Sequence, residues 1–270
     1  MNDTPSPATL ATADEQFIRC ATADGIALLT IDRPAVLNAL HPPACAELGR
    51  ALDAFEADPA LRVAIITGAG GRAFSAGFDL RHAETHPELY DDLLFGSELV
   101  RRTDRRKPVI AAVDGLALGF GLELALACDL IIASQGARFG LPEVKVGLTA
   151  LAGGIARLTR EIGPKRALAL ALSGDIISAA EAHRLGFVTA VAEGAALPLA
   201  QEWGRRIAAN APLSLIATRE LAYRSLDLPD LESALDPDQY PALAVVVASE
   251  DAQEGRRAFL EKRAPRWQGR

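Results

Sequence analysis

Residues 107–133 read KPVIAAVDGLALGFGLELALACDLIIA, and this stretch decides the fold. Its first part, 108–113 (PVIAAV), is a short apolar run closed by Asp114 and Gly115. Its last part, 130–133 (LIIA), has the same character and runs into Ser134 and Gly136. Both predict strands, and strands that are apolar at every position are buried on both faces. Between them stand Gly115, Gly119 and Gly121, and then an apolar run from Leu122 that predicts a helix. Asp114, Glu123 and Asp129 interrupt the stretch, which therefore falls short of the ~20 apolar residues of a spanning helix. It predicts a soluble core, with a parallel or mixed sheet and helices outside.

The same pattern extends outward. Residues 63–67 (VAIIT), bounded by Gly68, form another fully apolar strand, and 25–32 (GIALLTID) another, ended by Arg33 and Pro34. Residues 43–57 place Leu48, Leu52 and Phe55 at helical spacing until Asp58 and Pro59 stop the helix. Three segments share one grammar: a strand, a glycine turn, a short stretch around Phe74, Leu118 or Phe139, and a closing Gly77, Gly119 or Gly140. This is a weak internal repeat of strand–turn–strand units followed by a helix, too irregular in spacing for a solenoid. Beyond residue 155 the chain turns helical: 158–162, 166–172, 179–185 and 197–210, with a short strand at 187–191. Further helices follow at 214–225, at 231–249 (broken by Pro237 and Pro241) and at 250–263, which carries Phe259 and Leu260. This end reads as a packed appendage or an oligomerisation arm.

With 270 residues, 50% hydrophobic and 23% charged, the chain can bury a sizeable core without staples. Cys20, Cys45 and Cys128 have neither CxxC nor metal-ligand spacing and read as thiols in a reducing compartment, hence a cytoplasmic protein. Lys plus Arg is 28 and Asp plus Glu 35, a net charge of −7, which opposes attraction of nucleic acid. The N-terminus has no basic run and no apolar h-region, so residues 1–15 read as a frayed tail.

His82 and His86 have the i,i+4 spacing of metal ligands, but Ala83 excludes HExxH, and both read as solvent-facing. Residues 68–73 match GxGxxA, yet 72–77 (RAFSAG) is extended where a dinucleotide fold needs a helix, so the glycines read as a tight turn. No GxSxG is present. The glycine-rich turn at 114–129 is different. A strand-to-helix turn of this kind leaves N–H groups at the helix start that suit an anion or a developing oxyanion. Glu123 lies in the first turn of that helix; the helix end favours its charge, and burial among Leu122, Leu124 and Leu126 opposes it. Glu143 follows a second glycine–proline turn, 139–143 (FGLPE). Two carboxylates on separate turns can converge on one water, one taking a proton while the other protonates carbon. Spacing alone leaves structural and catalytic roles open for both.

Residues 73–80 (AFSAGFDL), 107–133 and 138–148 (RFGLPEVKVGL), with 33–40 (RPAVLNAL) and 258–263 (AFLEKR), resemble the enoyl-CoA hydratase/isomerase family of the crotonase superfamily. The resemblance runs in order over about residues 15–265. It implies an α/β fold: a crotonase-like spiral of ββα units over 16–205, and a C-terminal helical trimerisation region over 206–270. Two such trimers often stack into a hexamer. It also implies an acyl-CoA thioester substrate, with coenzyme A belonging to the substrate and no separate cofactor or metal. The family's oxyanion-hole amides fall on Phe78 and Phe120. Phe78, Asp79, Leu80 and Arg81 would line the thioester and adenine side. Phe259 and Lys262 match positions that touch CoA from a neighbouring subunit.

The family's hydratases use two glutamates, which fall on Glu123 and Glu143. The expected activity is therefore a carbon–oxygen lyase reaction, reversible addition of water to a 2-enoyl-CoA, with Glu123 assisting water and Glu143 protonating C2. Two departures bear on substrate choice. Phenylalanines stand at oxyanion positions that usually carry small residues, and Ala150 and Leu151 replace the usual proline and glycine before Ala152-Gly153-Gly154. They motivate an alternative: a specialised dehydratase, hydratase or isomerase on a branched, cyclic or carnitine-like acyl-CoA. A non-catalytic binding protein is the third reading, and the acidic charge opposes an RNA partner.

Overall fold

Two sheets organise the structure, a computed structural model that describes residues 16–90, 100 and 105–270. The expected tail, residues 1–15, lies outside the described residues. The larger sheet holds β1 (Ile18–Ala23), β2 (Ile26–Ile31), β3 (Val63–Gly68), β5 (Val109–Val113), β7 (Leu130–Ser134) and β10 (Ala190–Ala192), in that spatial order. The smaller holds β4 (Ala73–Ser75), β6 (Leu116–Leu118), β8 (Arg138–Gly140) and β9 (Ile176–Ser178). Among the described residues, the strand pairs β1–β2 and β8–β9 are antiparallel and the others parallel. The chain passes from the large sheet to the small one at β3–β4, again at β5–β6 and again at β7–β8. Each strand pair leads into helix: α2 (Leu80–Thr85), α3 (Phe120–Leu126), and the 3-10 helix Pro142–Val146 with α4 (Gly154–Ile162) and α5 (Pro164–Ser173). The weak repeat in the sequence is this spiral. Its spacing is irregular because the return from β4 to β5 is long and that from β6 to β7 is little more than α3.

The apolar strands are buried on both faces because the two faces meet different neighbours. Ala64 and Ile66 of β3, with Val109, Ala111 and Val113 of β5, face the main core. Val63, Ile65, Ile110 and Ala112 face the opposite way, under α7 (Ala196–Ala208), whose Ala196, Ala200 and Ala208 lie flat on the sheet. Each isoleucine so buried contributes roughly 1.5–3 kcal/mol. Leu48, Leu52 and Phe55 of α1 (Pro42–Ala57) fill the core at the predicted spacing. One strand is displaced from its expected place. Phe187 and Val188 enter the core as loop residues, with Phe187 edge-on to Phe139 at 5.7 Å, and pairing with β7 begins only at Ala190.

After α6 (Ala179–Leu185) and α7 come α8 (Pro212–Arg224), α9 (Leu231–Leu235), α10 (Pro241–Ala248) and α11 (Glu250–Leu260). Pro241 opens α10 and so divides the expected long helix. The last residues return along α11: Asp251 accepts the backbone N–H groups of Gln268 and Gly269, and Trp267 donates to the Ala209 carbonyl. This end exposes large apolar side chains, among them Leu231, Leu235, Val247, Phe259 and Leu260. Among the described residues no helix is long and apolar enough to cross a membrane.

Candidate active site

The site is assembled where β4 and β6 hand over to helix. Beyond β4, Leu40 donates to the Gly77 carbonyl (2.8 Å) and accepts from the Asp79 N–H (3.0 Å). In a parallel bridge of this kind the intervening residue turns its own amide away, so the Phe78 N–H faces the side opposite Leu40. The segment 33–40 is thus the backing of the Phe78 strand. Buried Asn38 secures it by donating to the carbonyls of Ala69 and Ala73, across the 68–73 turn that joins β3 to β4. That turn is the structural role of the GxGxxA match.

Phe120 is the first residue of α3, and the opening N–H groups of a helix have no intrahelical acceptor. Gly119 before it adopts φ 53°, ψ −128°, a conformation that side-chain-bearing residues avoid. A β-carbon placed on Gly77 would lie 3.4 Å from the Phe120 nitrogen, so the Gly77–Phe78 amide and the Phe120 amide are neighbours. Gly121 makes this approach feasible: a β-carbon there would stand 2.2 Å from the Ser75 carbonyl oxygen. The two phenyl rings stack on each other with centroids 4.3 Å apart; that of Phe120 is buried and that of Phe78 half-buried.

Glu123, one turn into α3, is 1% exposed. Its Oε1 accepts the N–H of Gly154 at 2.9 Å. Burial raises its pKa to about 7; the neighbouring charge of Glu143 adds to the rise, while the amides of Gly154 and Ala152 and the Arg157 guanidinium oppose it. Glu143 projects from the 3-10 helix toward Gly119, where a β-carbon would meet its Oε1 at 3.2 Å. Its Oε2 is buried with no hydrogen-bond partner among the described residues. Burial raises its pKa as well. The charge of Glu143 reaches Glu123, and the two residues flank the start of α3 beside the Gly119–Phe120 amide.

The other expected site residues fall in two places. Asp79 is buried; its carboxylate pairs with Arg33 at 3.0 Å and accepts the His82 N–H at the start of α2. Those bonds hold its pKa low against the opposing effect of burial. Leu80 and Arg81 follow, exposed on the first turn of α2. Phe259 and Lys262 lie instead at the end of α11, which packs on α10. Lys262 adopts φ 53° in the helix-ending turn, a position glycine commonly takes. His82 is not simply solvent-facing: its ring is half-buried between His41 (4.7 Å) and His86 (4.4 Å). Among the described residues no cluster of three or more His, Cys, Asp or Glu could hold a metal.

Two adjacent backbone amides with two carboxylates beside them suit an enzyme that stabilises an enolate and moves protons around it. A family model described as enoyl-CoA hydratase/isomerase matches residues 21–270, and the chain belongs to that family. It is 41% identical over 249 residues to (E)-benzylidenesuccinyl-CoA hydratase of Thauera aromatica, covering 90% of this chain and 96% of that one. It is 38% identical over 261 residues to carnitinyl-CoA dehydratase of Proteus mirabilis, covering 94% and 99%. The crystal structure of an enoyl-CoA hydratase from Mycobacterium tuberculosis superposes with a TM-score of 0.87 at 39% identity, covering 95% of this chain and 100% of that one. The protein is thus a crotonase-superfamily enzyme acting on an acyl-CoA thioester.

Proposed function

We propose that the enzyme adds water reversibly across the C2–C3 double bond of a 2-enoyl-CoA, with Glu123 and Glu143 as the acid–base pair. The observation that carries this is the placement of buried Glu123 on the first turn of α3 and of half-buried Glu143 against Gly119, both beside the Phe120 amide. The thioester oxygen accepts the N–H groups of Phe78 and Phe120, each worth roughly 3 kcal/mol as negative charge develops there. Ionised Glu123 takes a proton from water as its oxygen attacks C3. Protonated Glu143 gives a proton to C2 as the enolate collapses. The water is consumed whole, hydroxyl at C3 and hydrogen at C2, once the proton on Glu123 returns to Glu143. The named reactions of the two relatives, one a hydratase and one a dehydratase, are the two directions of such a step.

The CoA portion runs along Phe78, Asp79, Leu80 and Arg81, with Asp79 contributing backbone because its carboxylate is committed to Arg33. Residues 16–205 form the catalytic core. Residues 206–270 join three copies, or two stacked trimers, and bring Phe259 and Lys262 to a neighbour's CoA. The exposed apolar side chains of α9–α11 support this. Coenzyme A enters as part of the substrate. Three free cysteines, two of them buried, fit a cytoplasmic setting. The test is loss of enoyl-thioester absorbance with crotonyl-CoA and longer homologues; no loss at any chain length overturns the reading.

A second reading gives the site a branched, cyclic or carnitine-like acyl group. It is favoured by the stacked Phe78 and Phe120 rings and by exposed Leu148 and Leu151, on the segment joining Glu143 to Gly154. Faster turnover of a bulky enoyl-CoA than of every straight-chain one would select it.

A further inference from the structure

We propose that Arg157 is a positioning residue for the acid–base pair: it clamps the 152–154 turn and through that turn aims the Glu123 carboxylate. The inference rests on the hydration reading above. Glu123 is aimed by the Gly154 N–H, and Gly154 opens α4, so that N–H has no intrahelical acceptor and points wherever the turn points. Gly153, just before it, has φ 97° and supplies no side chain to anchor the turn. The anchor is the Arg157 guanidinium. Nη1 donates to the Ala152 carbonyl at 3.3 Å, and Nη2 donates to the carbonyl of Val100. The group lies so close along the turn that a β-carbon on Gly153 would meet Nη1 at 2.5 Å. One planar side chain thereby ties the turn to a segment more than fifty residues away in sequence.

The charge matters as well as the fork. The charged groups that face Glu123 are Glu143, from the 3-10 helix, and Arg157, from α4. Those that face Arg157 are Arg105, Glu123, Glu161 on its own helix and Tyr223 on α8. Burial and the like charge of Arg105 both disfavour the charged guanidinium. An apolar side chain would fill the place without that cost but could neither bridge two carbonyls nor favour ionised Glu123.

The test uses the full chain with Arg157→Met and Arg157→Lys, measuring kcat, KM and the pH dependence of kcat across neutrality. With Arg157→Met, kcat falls roughly 10- to 100-fold. KM for the CoA ester stays within about twofold, because a mispositioned acid–base group mainly affects kcat. The rising limb of kcat moves to higher pH as Glu123 loses a favourable charge. Arg157→Lys returns the limb toward wild type but not kcat, since one ammonium cannot form the planar fork. A limb and kcat unchanged in both variants, or a change in KM alone, overturns the proposal. If Arg157→Met does not fold, Arg157→Lys decides alone: reduced kcat with a near-wild-type limb supports the clamp, and wild-type kcat refutes it. Wild type inactive on every enoyl-CoA is a failure of the hydration reading instead. The clamp is then read from thermal stability against pH: the decline linked to Glu123 shifts upward in Arg157→Met and returns toward wild type in Arg157→Lys if the clamp exists, and stays in place in both if it does not.

Discussion

Glu123 and Glu143 flank the start of α3, yet the chain holds them in opposite ways. Glu123 sits on a regular helix, almost fully buried, with an oxygen gripped by the Gly154 amide. Glu143 sits on a single 3-10 helix, half-buried, with Oε2 lacking a partner among the described residues. One carboxylate is fixed and the other has an oxygen ready for substrate or water. The proposed acid–base pair would use this asymmetry: a group that orients water must not wander, and a group that delivers a proton to carbon must have an unspent oxygen.

The comparison can be broken most sharply at the carboxylates. Glu143→Gln and Glu123→Gln each lower kcat for hydration by roughly 10²- to 10⁴-fold, while the CoA ester still binds in a calorimetric titration. Removing the fixed group or the ready one costs similar amounts if they act as a unit; near-wild-type turnover by either variant dissolves the pair.

Next in size is Gly119→Ala. A β-carbon there meets both the unfavourable backbone angle and the Glu143 carboxylate, displacing the Phe120 amide and the acid together. We expect kcat to fall roughly 10²- to 10³-fold, the range for a lost oxyanion donor, and the melting temperature to drop by several degrees, since alanine is strained at this backbone angle. A variant as active as wild type would separate Glu143 from the oxyanion amide.

Stability against pH sharpens the contrast further. The folded pKa of Glu123, about 7, stands above its ordinary 4.5, so the folded state holds that proton more tightly than the unfolded one. Its contribution is fully present below pH 4.5 and is lost as pH rises through 7. Glu123→Gln removes that loss, so the variant gains on wild type above neutrality, on the order of 3 kcal/mol, and not in acid. Denaturant melts at several pH values check this, and a gap that does not grow with pH contradicts the burial argument.

The smallest effect belongs to the segment between the two acids. Leu151→Ala shifts the ratio of kcat/KM between bulky and short enoyl-CoAs by about tenfold, as loss of a few methylenes does. Its pH profile stays that of wild type.

Much of the fold was legible because burial writes itself into sequence. β3, β5 and β7 are apolar at nearly every position since α7 covers one face and the core the other. β1 was not legible: five of its six residues are exposed, so this antiparallel edge strand carries no pattern. β9 is only three residues long and leans on β8 for its existence. The strand at 187–191 was displaced because the most apolar residues there, Phe187 and Val188, were claimed by the core before the ladder. In the site, Glu123, Glu143 and the glycine turns stood out as a carboxylate in apolar surroundings and glycines at strand ends. Asn38, Arg33 and Arg157 did not. Their work is done by long or polar side chains reaching backbone carbonyls or carboxylates distant in sequence, which leaves no periodicity, although the 33–40 motif pointed at the first two. The sequence pairs His82 with His86 alone, because the buried His41 ring that meets His82 edge-on lies far away in the chain.

The most direct test of hydration by this carboxylate pair follows both atoms of the added water. An enoyl-CoA is turned over in deuterated water enriched in heavy oxygen, and the product is analysed by mass spectrometry. The account predicts that wild type places heavy oxygen at C3 and one deuterium at C2, and that Glu123→Gln and Glu143→Gln each all but abolish both labels. Product labelled to the wild-type extent in either variant, or a wild-type product without oxygen from solvent, would contradict it.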